Sequence, residues 1–289
     1  MNLEQVASFL AVVRTGNFRS AARERGLTQG AVSQHIKKLE AFLSSSLLER
    51  THQGCVTTPE GARFVPHAES LLRMNARALS SILRDCVAVG ASSNIGTYML
   101  QPYVKSFLDI QNRTCDVDVQ IHQNPVVADK LSEGEIDVAV MEWWDERPGC
   151  SAYLWRREEL VVIVPPDHIW AALSYIPVSL LKGAPMLAGE SGTGTGRLLS
   201  RYFGEEAVNL KIVMHLGSTE AVKQWVIAGL GISLVLASTV EHECREGGLC
   251  AIPLEGQPLY KDLFVIWRDS LGEDSQPRRF AESLRQSVK

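Results

Sequence analysis

Hydrophobic positions recur at helical spacing from the first residues of the chain. Leu3, Val6, Leu10 and Val13 fall three and four apart, and Gly16-Asn17 breaks that pattern before a second short helix around Ser20 to Arg25. Gly26-Leu27 supplies a turn. A third helix is predicted from a Thr28 N-cap to about Leu43, with Val32, Ile36, Leu39 and Leu43 on one face. Short helices in this order, with a tight glycine turn between the second and third, describe a helix-turn-helix.

After a Thr/His/Gln/Gly loop, Thr58-Pro59 gives an N-cap followed by proline at the first helical position, which opens a long helix. Along it Val65, Ala68, Leu72, Asn75, Leu79, Ile82 and Cys86 alternate spacings of three and four, a heptad seam suited to helix-on-helix dimerisation with Asn75 setting register. The competing reading is that the stripe packs on its own domain. Pro66 removes one backbone hydrogen bond and is expected to bend the helix start.

From Val87 the period changes. The runs CVAVGAS, DVDVQIH and IDVAVM alternate with helical segments, one after Asn94 and one opened by Asn124-Pro125, a βαβαβ series that implies a parallel sheet with helices on its faces. LVVIVPP, PMLAGES, NLKIVMHL and GISLVLAS repeat the theme, so two α/β lobes fit better than one large sheet.

Composition changes this picture in one respect. The chain has 289 residues, 45% hydrophobic and 21% charged, with a formal net charge of −4, which on its face argues against a nucleic-acid binder. Divided, the total separates into +4 over residues 1–88 and −8 over the remainder: a basic N-terminal piece on an acidic body. The start MNLEQVASFL lacks the features of a secretory signal, no run of 18 apolar residues occurs, and the six scattered cysteines suit a reducing compartment, so a cytoplasmic protein is expected.

The string FLAVVRTGNFRSAARERGLTQGAVSQHIKKLEAFLSSSLLERTHQGCVTTPEG, from Phe9 to Gly61, resembles the LysR-type transcriptional regulators: it holds Ala21-Ala22, AVS at Ala31 to Ser33, Leu39-Glu40, Glu49-Arg50 and TPEG at Thr58 to Gly61. LVVIVPPDH, ESGTGTGR and LGSTEAVKQWVIAGLGIS extend the resemblance over essentially the whole chain. The last two strings are most similar to the branch that includes carbon-fixation and sulfur-metabolism operon regulators. Two positions depart from that branch: Gly196 intervenes between Thr195 and Arg197, and His215 precedes LGS where an acid is usual.

The resemblance implies an α/β protein with a winged helix-turn-helix over 1–58, a linker and dimerisation helix over 59–87, and a two-lobed effector domain similar to periplasmic binding proteins. Lobe I would comprise 88–163 and 267–289, lobe II 164–266. It implies a homotetramer, built as a dimer of dimers, on an interrupted palindromic operator in double-stranded DNA. RNA polymerase would be a further partner and a metabolic operon would be activated; no cofactor is implied.

Since Val32, Ile36 and Leu39 point to the core, the outward face of the third helix is Gln29, Gly30, Ser33, Gln34 and Lys37. Gln pairs adenine bidentately and Lys reaches guanine or phosphate. Arg50, Thr51 and His52 lie on the segment that forms a wing in this family; for Arg50 an internal ion pair with Glu49 or Glu40 is the alternative. Candidate effector contacts are Ser92, Ser93 and Asn94, then Thr193, Gly194 and Thr195, then Ser218 and Thr219, hydroxyl-rich segments at helix starts where N–H groups favour an organic acid or other anion. Glu142 joins them at a strand end, beside Trp143-Trp144. Arg197 and Lys223 are candidates to neutralise an acidic effector, or else helix-surface residues.

Enzymatic motifs fail. Gly189-Glu190-Ser191-Gly192-Thr193 lacks the last glycine of a nucleophile elbow, Gly192, Gly194 and Gly196 do not make a dinucleotide fingerprint, and His242, Cys244 and Cys250 match no strong zinc spacing. No metal and no catalytic activity are expected. The rival from another class is a solute-binding receptor without a DNA role, which shares the C-terminal fold.

Overall fold

A computed structural model of the chain describes residues 1–51, 54–83, 86–189, 195, 198, 199, 202 and 210–286, excluding the side chains of residues 50, 80–83 and 286. Two compact units divide it, Met1–Leu83 and Arg84–Lys289.

In the first unit, α1 (Leu3–Thr15) starts at a capping box: Asn2 Oδ1 accepts from the Gln5 amide at 2.9 Å, and Gln5 Oε1 accepts from the Asn2 amide at 3.0 Å. Gly16, in the left-handed region at φ 72°, ends it. Asn17 then caps α2 (Phe18–Arg25) and Thr28 caps α3 (Gln29–Leu43), its hydroxyl accepting from the Ala31 amide at 3.1 Å. Val6, Phe9, Val12, Ala21, Ala22, Val32, Ile36, Leu39 and Leu47 form one core. Ala21 and Ala22 are the buried residues of α2, and their small size lets its backbone pack closely.

A hairpin follows, β1 (Leu48–Thr51) antiparallel to β2 (Gly54–Thr57). It is tied down at both sides. Glu40 Oε1 accepts from the amides of Leu47 and Leu48 at 2.8 and 3.2 Å, and the Cys55 amide donates to Gly16 O at 2.7 Å.

The long helix α4 (Pro59–Leu83) contains Pro66 without ending there. Its seam divides: Ala68 is fully buried in the head core with Phe64, Val65 and Leu72 against it, whereas Leu79 is 54% exposed, as are Leu71 and Met74 in part. Cys86, the last seam position, is not helical but begins β3 (Cys86–Ser92). Spacing alone carried the helix too far, because valine and alanine satisfy a buried strand as well as a helical stripe.

In the second unit, β3 pairs in parallel with β4 (Asp116–His122) and β5 (Val138–Met141). Between them run α5 (Ser93–Tyr98), α6 (Gln101–Ile110) and α7 (Asn124–Ser132). The expected parallel sheet is mixed. β6 (Cys150–Val164) is 15 residues long, and its first part pairs antiparallel with the returning strand Tyr260–Arg268. Its last part pairs antiparallel with β9 (Ser233–Leu236) and β10 (Cys250–Pro253). The return strand, β11, also pairs antiparallel with β5, so the two halves of the unit share one sheet through β6 and β11. On the far half, α8 (Val178–Leu181) precedes β7 (Met186–Ala188), which pairs in parallel with β8 (Ile212–His215), and α9 (Thr219–Ile227) packs against β6, β7 and β9. After β9 comes a short helix, α10 (Glu241–Arg245), and α11 (Gln276–Gln286) buries Phe280 and Leu284 beside Phe107 and Trp155. Among the described residues no helix is long and apolar enough to cross a membrane.

Candidate nucleic-acid interface and effector site

The core of the first unit fixes which side of α3 faces out. With Val32, Ile36 and Leu39 buried, Gln29, Gly30, Gln34 and Lys37 are exposed and Ser33 is half-buried, so one surface gathers two amides, a hydroxyl and an ammonium. A Cβ on Gly30 would meet only Thr28 Oγ1, at 3.9 Å, so the glycine leaves open space rather than filling a tight contact. Ser8, buried on α1, hydrogen-bonds His35 Nδ1 at 2.8 Å and fixes the flank of α3 that faces the core. Thr51 is exposed on β1, and Arg50 stands beside it on the same strand; the Arg50 side chain and His52 lie outside the described residues.

In the second unit a buried hydrogen-bonded chain joins elements of both halves. Glu142 follows β5 directly, and its amide donates to Asn124 Oδ1 at 2.9 Å at the start of α7. Its carboxylate accepts from Asn94 Nδ2 at 2.9 Å through one oxygen and from Lys261 Nζ through the other. Lys261, near the start of β11, also donates to Thr195 Oγ1 at 3.0 Å. Asn94 Oδ1 in turn accepts from Thr219 Oγ1, at 2.7 Å, at the N-terminus of α9. Ser218 caps that helix, its hydroxyl accepting from the Ala221 amide at 3.1 Å.

The predicted residues Asn94, Glu142, Thr195 and Thr219 are therefore brought into one network, with Ser218 at its edge. Ser92 is buried beside it with an unpartnered hydroxyl, and Ser93 donates to His122 O at 3.4 Å. Thr193, Gly194 and Arg197 lie outside the described residues. Sequence reasoning missed Lys261 and Asn124. Lys261 sits in a strand whose apolar alternation the charges of YKDLFVIWR obscure, and Asn124 reads as an ordinary helix opener.

Lys223 is neither an open cation nor a surface residue. It is buried, 2.8 Å from Glu220, 2.6 Å from Glu243 and 4.6 Å from the centre of the Tyr98 ring, while the Tyr98 hydroxyl donates to Glu220 Oε2 at 3.1 Å. Burial opposes its charge, but hydrogen bonds to Glu220 and Glu243 hold its ammonium well above the ordinary lysine range, and the same bond to Lys223 lowers the Glu220 carboxyl. Tyr98 belongs to α5 and Lys223 to α9, so this cluster is a second bridge between the halves.

Trp144 packs against the α7 side of the sheet, which favours the core reading of the tryptophan pair. Burial pushes the Cys244 thiol up, away from reactive thiolate. Among the described residues no cluster of three or more His, Cys, Asp or Glu is placed to hold a metal.

Comparison with known proteins agrees with both units. Residues 3–62 match the bacterial regulatory helix-turn-helix proteins of the lysR family, and residues 83–289 match the LysR substrate binding domain. PtxE of Stutzerimonas stutzeri, assigned to the HTH-type transcriptional regulators, is 47% identical over 195 residues, covering 68% of this chain and all of its own. The RuBisCO operon transcriptional regulator of Allochromatium vinosum is 26% identical over 275 residues, 93% of this chain and 90% of its own. Among solved structures, full-length CbnR bound to its target DNA covers 100% of both chains with a TM-score of 0.74 at 21% identity, a likeness of fold.

Proposed function

The chain belongs to the LysR family of helix-turn-helix transcriptional regulators, with a DNA-binding head and an effector-binding domain, and on that premise we propose which residues do the work. In this reading α3 lies in the major groove with Gln29, Gly30, Ser33, Gln34 and Lys37 toward base edges and phosphates. Arg50, Thr51 and His52 contact the backbone from the wing. The effector is a small organic acid or other anion in a site lined by Ser92, Ser93, Asn94, Glu142, Thr193, Gly194, Thr195, Ser218 and Thr219. The protein is non-catalytic, works in the cytoplasm, and activates a metabolic operon through contact with RNA polymerase; the name of the HTH-type transcriptional activator CmpR of Synechocystis supports activation and that of the RuBisCO operon regulator supports a metabolic target. A dimer of dimers on an interrupted palindrome supplies the affinity that a head of only +4 lacks. Lobe boundaries are drawn at 163/164 and 266/267, with the linker helix opening at 59 and ending with α4 at Leu83.

One observation carries the DNA reading: a capped α3 exposes Gln29, Gln34 and Lys37 together while the hairpin beside it is pinned to both α3 and α1. A gel shift against DNA upstream of the gene, run over a salt series, tests it. Gln34→Ala is expected to cost about 1–3 kcal/mol of discrimination at one base position, and Lys37→Ala to weaken all sequences alike while lowering the salt slope by about 1. A full-length protein that forms no sequence-preferring complex at about 0.1 M salt overturns the assignment. The receptor alternative predicts that outcome.

A further inference from the structure

Lys261 is the charged member of the interlobe network that sequence reasoning did not single out, and its surroundings define a chemistry. Its side chain is 5% exposed and that of Glu142 is 0% exposed, so the two charges neutralise one another out of water. The partners are not equivalent. Glu142 is fixed from three directions: Asn94 on one oxygen, Lys261 on the other, and its own amide on Asn124. Lys261 is held by Glu142 and Thr195, which use two of its three N–H donors. Glu158, the cross-strand neighbour of Lys261, is engaged with Arg156 instead.

The rest of the network favours negative charge. The chain Lys261–Glu142–Asn94–Thr219 leads to the N-terminus of α9, a nine-residue helix whose opening N–H groups add positive potential. A cationic ligand would have to displace Asn94 and Lys261 from the Glu142 carboxylate and would meet the Lys261 ammonium. An anionic one needs only to draw the ammonium from Glu142, and lies beside the opening N–H groups of α9. Resting on the interlobe effector reading above, we propose that Lys261 is the residue that reads the effector's charge and Glu142 its resident counter-ion. The effector is then a small carboxylate or oxyanion that takes the ammonium over from Glu142.

A competing carboxylate held in place weakens every anion that must displace it, so removing its charge should strengthen binding. The test is thermal melting of the full-length protein with sodium sulfate, inorganic phosphate and sodium malonate, each against sodium chloride at matched ionic strength. At least one of the three is expected to raise the melting temperature beyond chloride. Glu142→Gln, nearly isosteric, is expected to lower the half-effect concentration by about tenfold or more, because it leaves a buried ammonium without a counter-ion. Lys261→Met alone strands Glu142, so Glu142→Gln/Lys261→Met, which removes both charges, is the decisive partner variant; it should fold and lose the response. Equal responses in wild type and Glu142→Gln, no response in either, or a response that survives in the double variant each overturn the proposal. A response that survives there but disappears in Thr219→Ala leaves the interlobe site standing and removes Lys261 from it.

Discussion

Gly61, the last residue of the TPEG string, is where a single methyl group should separate the hairpin from the long helix. It is buried in the first turn of α4, and a Cβ built on it would lie 2.0 Å from Leu47 O, 2.9 Å from Leu47 C and 3.2 Å from Leu47 Cα. Ordinary non-bonded carbon contacts need about 3.5 Å, so the helix and the Leu47 backbone must part by roughly 1 Å or more in Gly61→Ala. Leu47 has little room to give. Its side chain is 2% exposed in the head core, and its amide is held by Glu40 at 2.8 Å. Parting them strains the bonds at the same junction: the Thr58 amide to Leu47 O at 3.0 Å, the Thr58 hydroxyl to Ser46 O at 2.7 Å, and the Gly61 amide to the Thr58 hydroxyl at 3.0 Å. Overpacking of this kind costs about 1–3 kcal/mol, and each hydrogen bond lost adds about 1 kcal/mol, for roughly 3–5 kcal/mol in all. Hydrogen exchange of head peptides in the full-length protein reads that loss directly as opening faster by about two to four decades, accompanied by weaker operator binding. Gly30→Ala is the control. A Cβ there finds only one atom, at 3.9 Å, and alanine is the better helix former by about 1 kcal/mol, so head protection should hold or rise. Gly61→Ala heads that exchange within about threefold of wild type and bind DNA normally would refute the steric argument.

Two further outcomes follow from other parts of the molecule. Leu79→Glu, at a position 54% exposed on the half of α4 that the head core leaves uncovered, is expected to halve the mass of the smallest stable species in light scattering; an unchanged mass removes α4 as the dimer contact. Glu220, whose carboxyl the hydrogen bond from Lys223 holds below its ordinary value of 4.5, contributes stability above that value that is lost as pH falls through the lowered one. Urea unfolding from pH 6 to 3 should therefore show a shallower acid loss in Glu220→Gln, and parallel pH curves for the two proteins would exclude the Tyr98–Glu220–Lys223 bridge as its source.

How far the sequence reached differs between the units. Helix spacing, the Asn2, Asn17 and Thr28 caps and the Gly16 and Gly26 stops are local devices, each decided within a few residues, and together they gave the three helices of the head and the outward face of α3. Beyond Val87 local pattern lost force. The run CSAYLWRREE reads as polar, yet it is the first part of β6, because pairing with β11 lets charged neighbours such as Arg157 and Asp262 meet at 2.9 Å on an exposed face. Lys223 shows the same limit from the opposite side: an amphipathic helix gives a lysine every appearance of a surface residue until Glu243 and Tyr98 arrive from two other elements.

Caps, turns and periodicity make the DNA-binding head and the hydroxyl-rich segments Ser92 to Asn94 and Ser218-Thr219 legible along the chain, and the matching strings make the family so. That Glu142 faces Lys261, a residue 119 positions away, is legible only in the folded molecule. Chain reversal at β11 brings them together, and the charge of a buried pair is set by what long-range strand pairing places within reach, which no local pattern encodes.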